Sequence, residues 1–342
     1  MTRVFVVDDS AFIRKALARV LQNEPGLDLV GLAATGAEAV ERVPPADPDL
    51  VTLDLEMPGM GGLEVLRTLL RWKPGLKVVI LSAHTQEGAE ASIEALAAGA
   101  VDFIDKTSFN LMDLDTMRHE VIEKLRVWGP KEPQLVATQG RGLGTGDQAQ
   151  QFAAAAQADL CVIGASTGGP IALQRILERL PAQFPLPIVI VQHMPVGFTG
   201  PFAERLNRLS RIEVREAVEG DRLRRGHALV APAGCHLRIT SNLGVVLAPE
   251  ASNGKHIPSV DHTMKSAAQA RPGKVLGILL TGMGQDGAEG MAAIRAGGGL
   301  TIGESEGSCV VYGMSRAAEM RGAVDSLLPL SEIIAFLERM AP

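Results

Sequence analysis

The chain has 342 residues, of which 46% are hydrophobic, 21% charged and only 4% aromatic, and its formal net charge is −6. That length exceeds one ordinary core and predicts two domains, while the acidic balance argues against a nucleic-acid partner, whose phosphates call for a basic face. Three widely spaced cysteines, Cys161, Cys235 and Cys309, offer neither a disulfide framework nor a zinc pattern and favour a reducing compartment.

Met1 to Val4 run into a strand without a signal-peptide pattern, and no apolar run reaches the length of a membrane span. A cytoplasmic protein without membrane insertion is expected. Apolar, β-rich runs at 4–7, 27–30, 50–53, 78–81 and 101–104 alternate with helical patterns such as Phe12 to Leu21 and Gly88 to Ala98. This alternation predicts an α/β domain over residues 1–128, a five-stranded parallel sheet with helices on both faces. Its last helix, Leu114 to Trp128, meets a stop at Gly129-Pro130.

Residues 129–158 are rich in Pro, Gly, Gln, Thr and Ala and predict a flexible linker, with a short helix open at Phe152 to Ala158. A second alternation fills 159–342. Strands are expected at 160–163, 187–192, 212–214, 228–231, 237–239, 245–247, 274–280, 300–302 and 324–328. They predict a larger, doubly wound, mostly parallel α/β domain. Ser241 to Gly244 reads as a hairpin turn, so part of that sheet is expected to be antiparallel.

In the first domain, Asp8 and Asp9 follow the first strand, Asp54 the third, Ser82 the fourth and Lys106 the fifth. Functional groups of an open α/β sheet gather at the carboxyl ends of strands, so these positions are expected to converge. Three neighbouring carboxylates repel unless a cation lies among them, and Mg²⁺ prefers oxygen ligands. Lys106 and the Ser82 hydroxyl suit a phosphoryl group. A single acid after a strand more often caps a helix, as Asp8-Asp9-Ser10 could; four strand ends with compatible chemistry favour a site.

In the second domain, Gly164-Ala165-Ser166-Thr167-Gly168 follows a buried run and fits G-x-S-x-G, with Pro170 suited to a first helical turn. Taken alone, such a turn also fits a phosphate cradle or a serine helix cap. A dinucleotide fingerprint fits less well, because Ser166 takes the place of its second glycine. A nucleophilic serine needs a base, and the base an orienting acid. Of seven histidines, His193 follows a strand, Ile188 to Gln192, and should emerge at the same sheet edge. Thr281-Gly282-Met283-Gly284-Gln285-Asp286-Gly287 follows another strand; its glycines free N–H groups for an oxyanion, and Asp286 could orient His193 or cap a helix.

Val6 to Ser10, Leu53 to Gly62 and Leu81-Ser82-Ala83 resemble the bacterial response-regulator receiver domain, which has a flavodoxin-like sheet. The resemblance implies that Asp54 accepts a phosphoryl group from a histidine kinase. It further implies Mg²⁺ at Asp8, Asp9, Asp54 and the Glu56 carbonyl, and a switch pair of Ser82 and Phe103. Thr107 stands where receivers usually carry proline after the lysine. Ile163 to Gly169, Gln192-His193-Met194, Pro258 to Asp261 and Thr281 to Ala288 resemble the chemotaxis protein-glutamate methylesterase family, CheB. That resemblance implies hydrolysis of γ-glutamyl methyl esters on chemoreceptors, and deamidation of receptor glutamines, without a cofactor for the ester step. Ser166, His193 and Asp286 match its triad, with Thr167 and the Met283 backbone near the oxyanion. The unphosphorylated receiver is expected to lie over the active-site face until Asp54 is phosphorylated. The role of Pro258 to Asp261 stays open, as does a ligand-sensing module; a third class, a transcription-factor output, lacks a basic recognition helix.

Overall fold

The computed structural model describes residues 1–22, 24–82, 85–106, 114–129, 155, 157–249 and 256–341. The chain divides into two compact units, Met1–Leu135 and Val136–Pro342. The expected linker and Thr107 lie largely or wholly outside the described residues. No described helix is long and apolar enough to cross a membrane.

In the first unit, β1 (Thr2–Val7), β2 (Leu27–Ala33), β3 (Leu50–Asp54), β4 (Lys77–Ser82) and β5 (Asp102–Asp105) form one sheet in the order β2-β1-β3-β4-β5. Every pairing is parallel, as the βα alternation predicts. The intervening helices are α1 (Ala11–Gln22), α2 (Gly36–Ala46), α3 (Gly62–Trp72), α4 (Gln86–Ala98) and α5 (Leu114–Trp128). Local chemistry starts two of them. The Thr35 hydroxyl accepts the Glu38 N–H at 3.2 Å, and Glu38 reaches back to the Ala34 N–H at 2.8 Å. Thr85 caps α4 through the Gly88 N–H at 2.9 Å. The chain winds from β1 to β2 on one side and through β3 to β5 on the other, so strand order reverses between β1 and β3, where Asp8 and Asp54 stand.

The second unit holds a seven-stranded sheet in the order β14-β13-β12-β6-β7-β9-β8. Its strands are β6 (Leu160–Ala165), β7 (Ile188–Gln192), β8 (Glu213–Glu216), β9 (His227–Val230), β12 (Val275–Leu279), β13 (Leu300–Glu304) and β14 (Ser326–Leu328). All of its pairings are parallel. Around it run α6 (Gly169–Arg179), α7 (Thr199–Leu209), α8 (Val260–Ala270), α9 (Ala288–Ala296), α10 (Met314–Met320) and α11 (Leu330–Arg339). β6 is buried along its whole length, the mark of a central strand covered on both faces.

The antiparallel pair is real, but it is not part of that sheet. β10 (Cys235–Ile239) and β11 (Val245–Pro249) form a separate two-stranded ribbon around the Ser241 to Gly244 turn. Side chains of α8 take up backbone groups of β10. Thr263 Oγ1 donates to the Leu237 carbonyl at 2.9 Å, and Ser266 Oγ accepts the Ile239 N–H at 3.0 Å. Leu237 and Ile239 also share a core with Val260 and Met264 of that helix, so the ribbon packs on α8.

Candidate functional site

In the first unit, Asp8, Asp9 and Asp54 offer oxygen atoms that all lie within 4.8 Å of one another. Asp8 is fully buried and Asp54 is 1% exposed, whereas Asp9 is exposed. Lys106 reaches both buried acids, at 3.0 Å from Asp8 Oδ2 and 2.7 Å from Asp54 Oδ2. Burial pushes the Asp54 carboxyl up to about 6, only partly countered by Lys106, and raises Asp8 in the same way. Burial would lower the Lys106 ammonium, but Asp54 and Asp8 together hold it above its ordinary value. Neither Oδ2 has a hydrogen-bond donor besides that ammonium among the described residues. Two buried anions on one cation leave the pocket short of positive charge, and an all-oxygen donor set suits Mg²⁺.

The Glu56 N–H donates to Asp54 Oδ1 at 3.1 Å, while the Glu56 side chain is exposed. Asp8-Asp9-Ser10 serves both readings at once: Asp8 Oδ1 accepts the Ser10 N–H at 2.9 Å, and Ser10 Oγ the Ile13 N–H at 3.4 Å. The Ser82 hydroxyl is engaged with α4, donating to the Gly88 carbonyl at 3.2 Å and accepting from Ser92 Oγ at 2.7 Å. Phe103 is buried, and its carbonyl accepts Lys124 Nζ at 2.6 Å.

In the second unit, Ser166 leaves the central strand β6 at the point where strand order reverses, flanked by β12 and β7. Backbone bonds hold the three strand ends together. The Ser166 N–H donates to the Thr281 carbonyl at 3.1 Å, and the His193 N–H to the Ala165 carbonyl at 3.1 Å. Gln192 is buried and adds a side-chain clamp, donating to the Ser166 carbonyl at 2.9 Å and the His193 carbonyl at 3.1 Å. Gly168 turns the chain into α6 with φ +79°, and a Cβ there would stand 2.7 Å from Val310.

His193 Nε2 meets Asp286 Oδ2 at 2.8 Å. His193 Nδ1 is buried without a hydrogen-bond partner among the described residues. The ring also stacks on exposed His256, with centroids 4.4 Å apart and planes 10° from parallel. Asp286 is held from elsewhere: Oδ1 accepts Ser259 Oγ at 2.8 Å and the Asp261 N–H at 3.0 Å, and Oδ2 accepts the Val260 N–H at 2.7 Å. These donors form the start of α8, so Asp286 lies at the N-terminus of a helix remote in sequence, a favoured place for an anion. It also accepts its neighbour's N–H, Gly287 to Oδ1, at 3.1 Å. Burial would raise its carboxyl, but the hydrogen bond and charge of His193, then the N–H groups of Asp261 and Val260, hold it well below the usual carboxylate range. Gly287, with φ +94°, permits the approach, since a Cβ there would lie 2.9 Å from Val260.

Pro258 to Asp261, whose part the sequence left open, therefore anchors the acid. Ser259 is the pivot: it caps α8 through the His262 N–H at 3.3 Å and donates to Asp286. Asp261 returns the service by accepting the Gly290 N–H of α9 at 2.6 Å. Thr167 is buried and Met283 half-buried, and among the described residues neither N–H has an internal acceptor. Of the residues singled out from sequence, the structure thus brings Ser166, His193, Asp286, Thr167 and Met283 to the ends of three adjacent strands.

A carboxylate pocket at one switch point and a serine, histidine and aspartate at another define a response regulator with a hydrolase output unit. The receiver-domain family model matches residues 4–117 and the CheB methylesterase model residues 161–337. The chain belongs to the CheB methylesterase family. It is 42% identical to the protein-glutamate methylesterase/protein-glutamine glutaminase of Archaeoglobus fulgidus, over 98% of both chains. Its identity to the protein of that name from Pyrococcus abyssi is 40%, over 97% of this chain and 91% of the other. The crystal structure of the Thermotoga maritima CheB methylesterase catalytic domain superposes with a TM-score of 0.52 at 38% identity, covering 54% of this chain and 99% of that one.

Proposed function

We propose that this protein is a cytoplasmic, phosphorylation-regulated esterase that hydrolyses γ-glutamyl methyl esters on chemoreceptors and deamidates receptor glutamines. The observation that carries the reading is the His193–Asp286 contact, with His193 Nδ1 unpartnered among the described residues at the sheet edge where Ser166 stands. Ser166 Oγ attacks the ester carbonyl as its proton passes to His193 Nδ1. Asp286 accepts the Nε2–H and stabilises the imidazolium. The N–H groups of Thr167 and Met283, which have no internal acceptor among the described residues, receive the oxyanion. Collapse returns the proton to the leaving methoxide, and methanol departs. Water, deprotonated by the same nitrogen, then attacks the glutamyl-serine ester, releasing glutamate and restoring Ser166. A receptor glutamine follows the same course with ammonia as the leaving group.

The domain assignment that goes with this reading is a receiver over 1–128, a linker over 129–158 and an esterase domain over 159–342. Asp54 is the phosphoacceptor, a histidine kinase the donor, and Ser82 with Phe103 the switch pair. Asp8, Asp9, Asp54 and the Glu56 carbonyl would hold Mg²⁺, which when bound offsets charge on the phosphoryl oxygens. Lys106 already pairs with Asp54 and is placed to take up a phosphoryl oxygen there. Regulation is checked by timing methanol release with and without acetyl phosphate and Mg²⁺. A several-fold rise is expected in the parent and none in Asp54→Asn; equal rates in all arms would remove the regulatory claim.

A further inference from the structure

Glu304 ends β13, two strands from Ser166, and is 1% exposed. Its carboxylate forms no ion pair among the described residues; its partners are neutral. Oε2 accepts the Thr281 N–H at 2.9 Å and Oε1 accepts Ser308 Oγ at 2.9 Å. Ser308 Oγ in turn accepts the Leu330 N–H at 3.0 Å, which ties the acid to the start of α11. Burial pushes the Glu304 carboxyl up, and the hydrogen bonds from Thr281, Ser308 and Cys309 with the charge of Arg175 offset only part of that rise. A carboxylate this deeply buried is expensive even with the Arg175 charge acting on it from beyond ion-pair distance, and such groups concentrate at functional sites.

What this acid holds is the hub of the nucleophile turn. The Thr281 carbonyl accepts the Ser166 N–H at 3.1 Å, and Thr281 Oγ1 donates to the Thr167 carbonyl at 2.9 Å. The same hydroxyl accepts the Val311 N–H at 3.0 Å, joining the loop that Gly168 packs against. One residue therefore grips Ser166 and Thr167 together, and its own N–H is spoken for by Glu304 alone. We propose that Glu304 is a positioning residue for this site: by accepting the Thr281 N–H it fixes the residue that sets Ser166 and the Thr167 oxyanion donor in register. The acceptor oxygen matters here, and the charge does not, so an amide of the same shape can replace it.

This inference rests on the esterase reading, and its test includes a readout that does not. Steady-state methanol release from methylated receptor is measured for the parent, Glu304→Gln, Glu304→Leu and Thr281→Val. Glu304→Leu orphans the Thr281 N–H, and a misplaced nucleophile is expected to lower kcat about ten- to a hundredfold with KM little changed. Glu304→Gln is expected to restore kcat to within about threefold of the parent, an effect no larger than that of a sound hydrogen bond. Thr281→Val keeps the shape, cuts the link to Thr167 and should lower kcat comparably. The double variant Glu304→Leu/Thr281→Val should be no slower than the worse single, since both act through one residue.

Hydrogen exchange at the Thr281 amide reads the brace without any substrate. It should be faster in Glu304→Leu and parent-like in Glu304→Gln. A folded Glu304→Leu with parental kcat, unchanged Thr281 exchange, or a Gln variant as slow as the Leu variant would each overturn the proposal. Should Glu304→Leu not fold, parental kcat in Thr281→Val overturns it. A parent that releases no methanol strikes the esterase reading instead, and the exchange result still decides the brace.

Discussion

Ser166→Ala is expected to lower kcat for methanol release by roughly 10⁵–10⁶-fold, the cost of removing a serine nucleophile from an intact site. Folding should be almost untouched. The Ser166 hydroxyl makes no hydrogen bond among the described residues, and the turn is held by its backbone N–H, its carbonyl and the Gln192 clamp. A change at such a position is worth about ±0.5 kcal/mol, so thermal unfolding should match the parent. Rate and stability are thereby separated, and a burst of glutamyl-enzyme seen in the parent should vanish in the variant. Methanol release retained above about 1% of the parental rate is too fast for a site that has lost its nucleophile and would sink the assignment of Ser166 to the triad.

Asp286 should behave differently, because it serves two structures at once. Asp286→Asn is expected to cost roughly 10⁴-fold in kcat, since the amide no longer holds the imidazole in its working tautomer or stabilises the imidazolium. Asp286→Ala should be as slow and also less stable. It strips the start of α8 of the acceptor for the Ser259 hydroxyl and the N–H groups of Val260 and Asp261. Loss of such a cap costs about 2 kcal/mol at the upper end, or roughly 4–8 °C in melting temperature for a unit of this size.

The pH dependence takes its sign from the lowered carboxyl. The folded state holds Asp286 ionised more strongly than the unfolded chain does, so its contribution is complete above about pH 4 and is lost as pH falls through the folded value. The stability gap between parent and Asp286→Ala should therefore narrow on acidification below about 4. Chemical denaturation at stepped pH measures it, and a gap that widens in acid would contradict the assignment.

Much of this site was legible before any coordinates, because strand-end placement is a local property. Val4 to Val7 and Leu160 to Ile163 are too apolar for anything but buried strands, and the residues just after each must emerge at a sheet edge. That reasoning alone located Asp8, Asp54, Ser166 and His193. Three things were hidden. Glu304 reads as one more acid after a short strand, and nothing nearby in sequence announces its burial. His256 follows no predicted strand, yet its ring stacks on that of His193. The β10–β11 hairpin was recognised as antiparallel but placed in the wrong sheet, because the α8 hydroxyls that take up β10 backbone groups lie 26 and 27 residues away.

Asp286 shows the division most clearly. Sequence offered two roles for it, orienting a histidine or capping the next helix in the chain. Its carboxylate meets the histidine, and the helix whose start it serves is chiefly α8, 25 to 27 residues earlier. Residue patterning was enough for the period of the elements, the glycine turns that free backbone groups, and the kinds of side chain delivered to each strand end, since these depend on neighbours a few residues apart. It took the folded chain to reveal which strand is central, which helix N-terminus meets which carboxylate, and which acid is buried. Those outcomes depend on strand order and on the exclusion of water, and both are set by contacts between segments far apart in the chain.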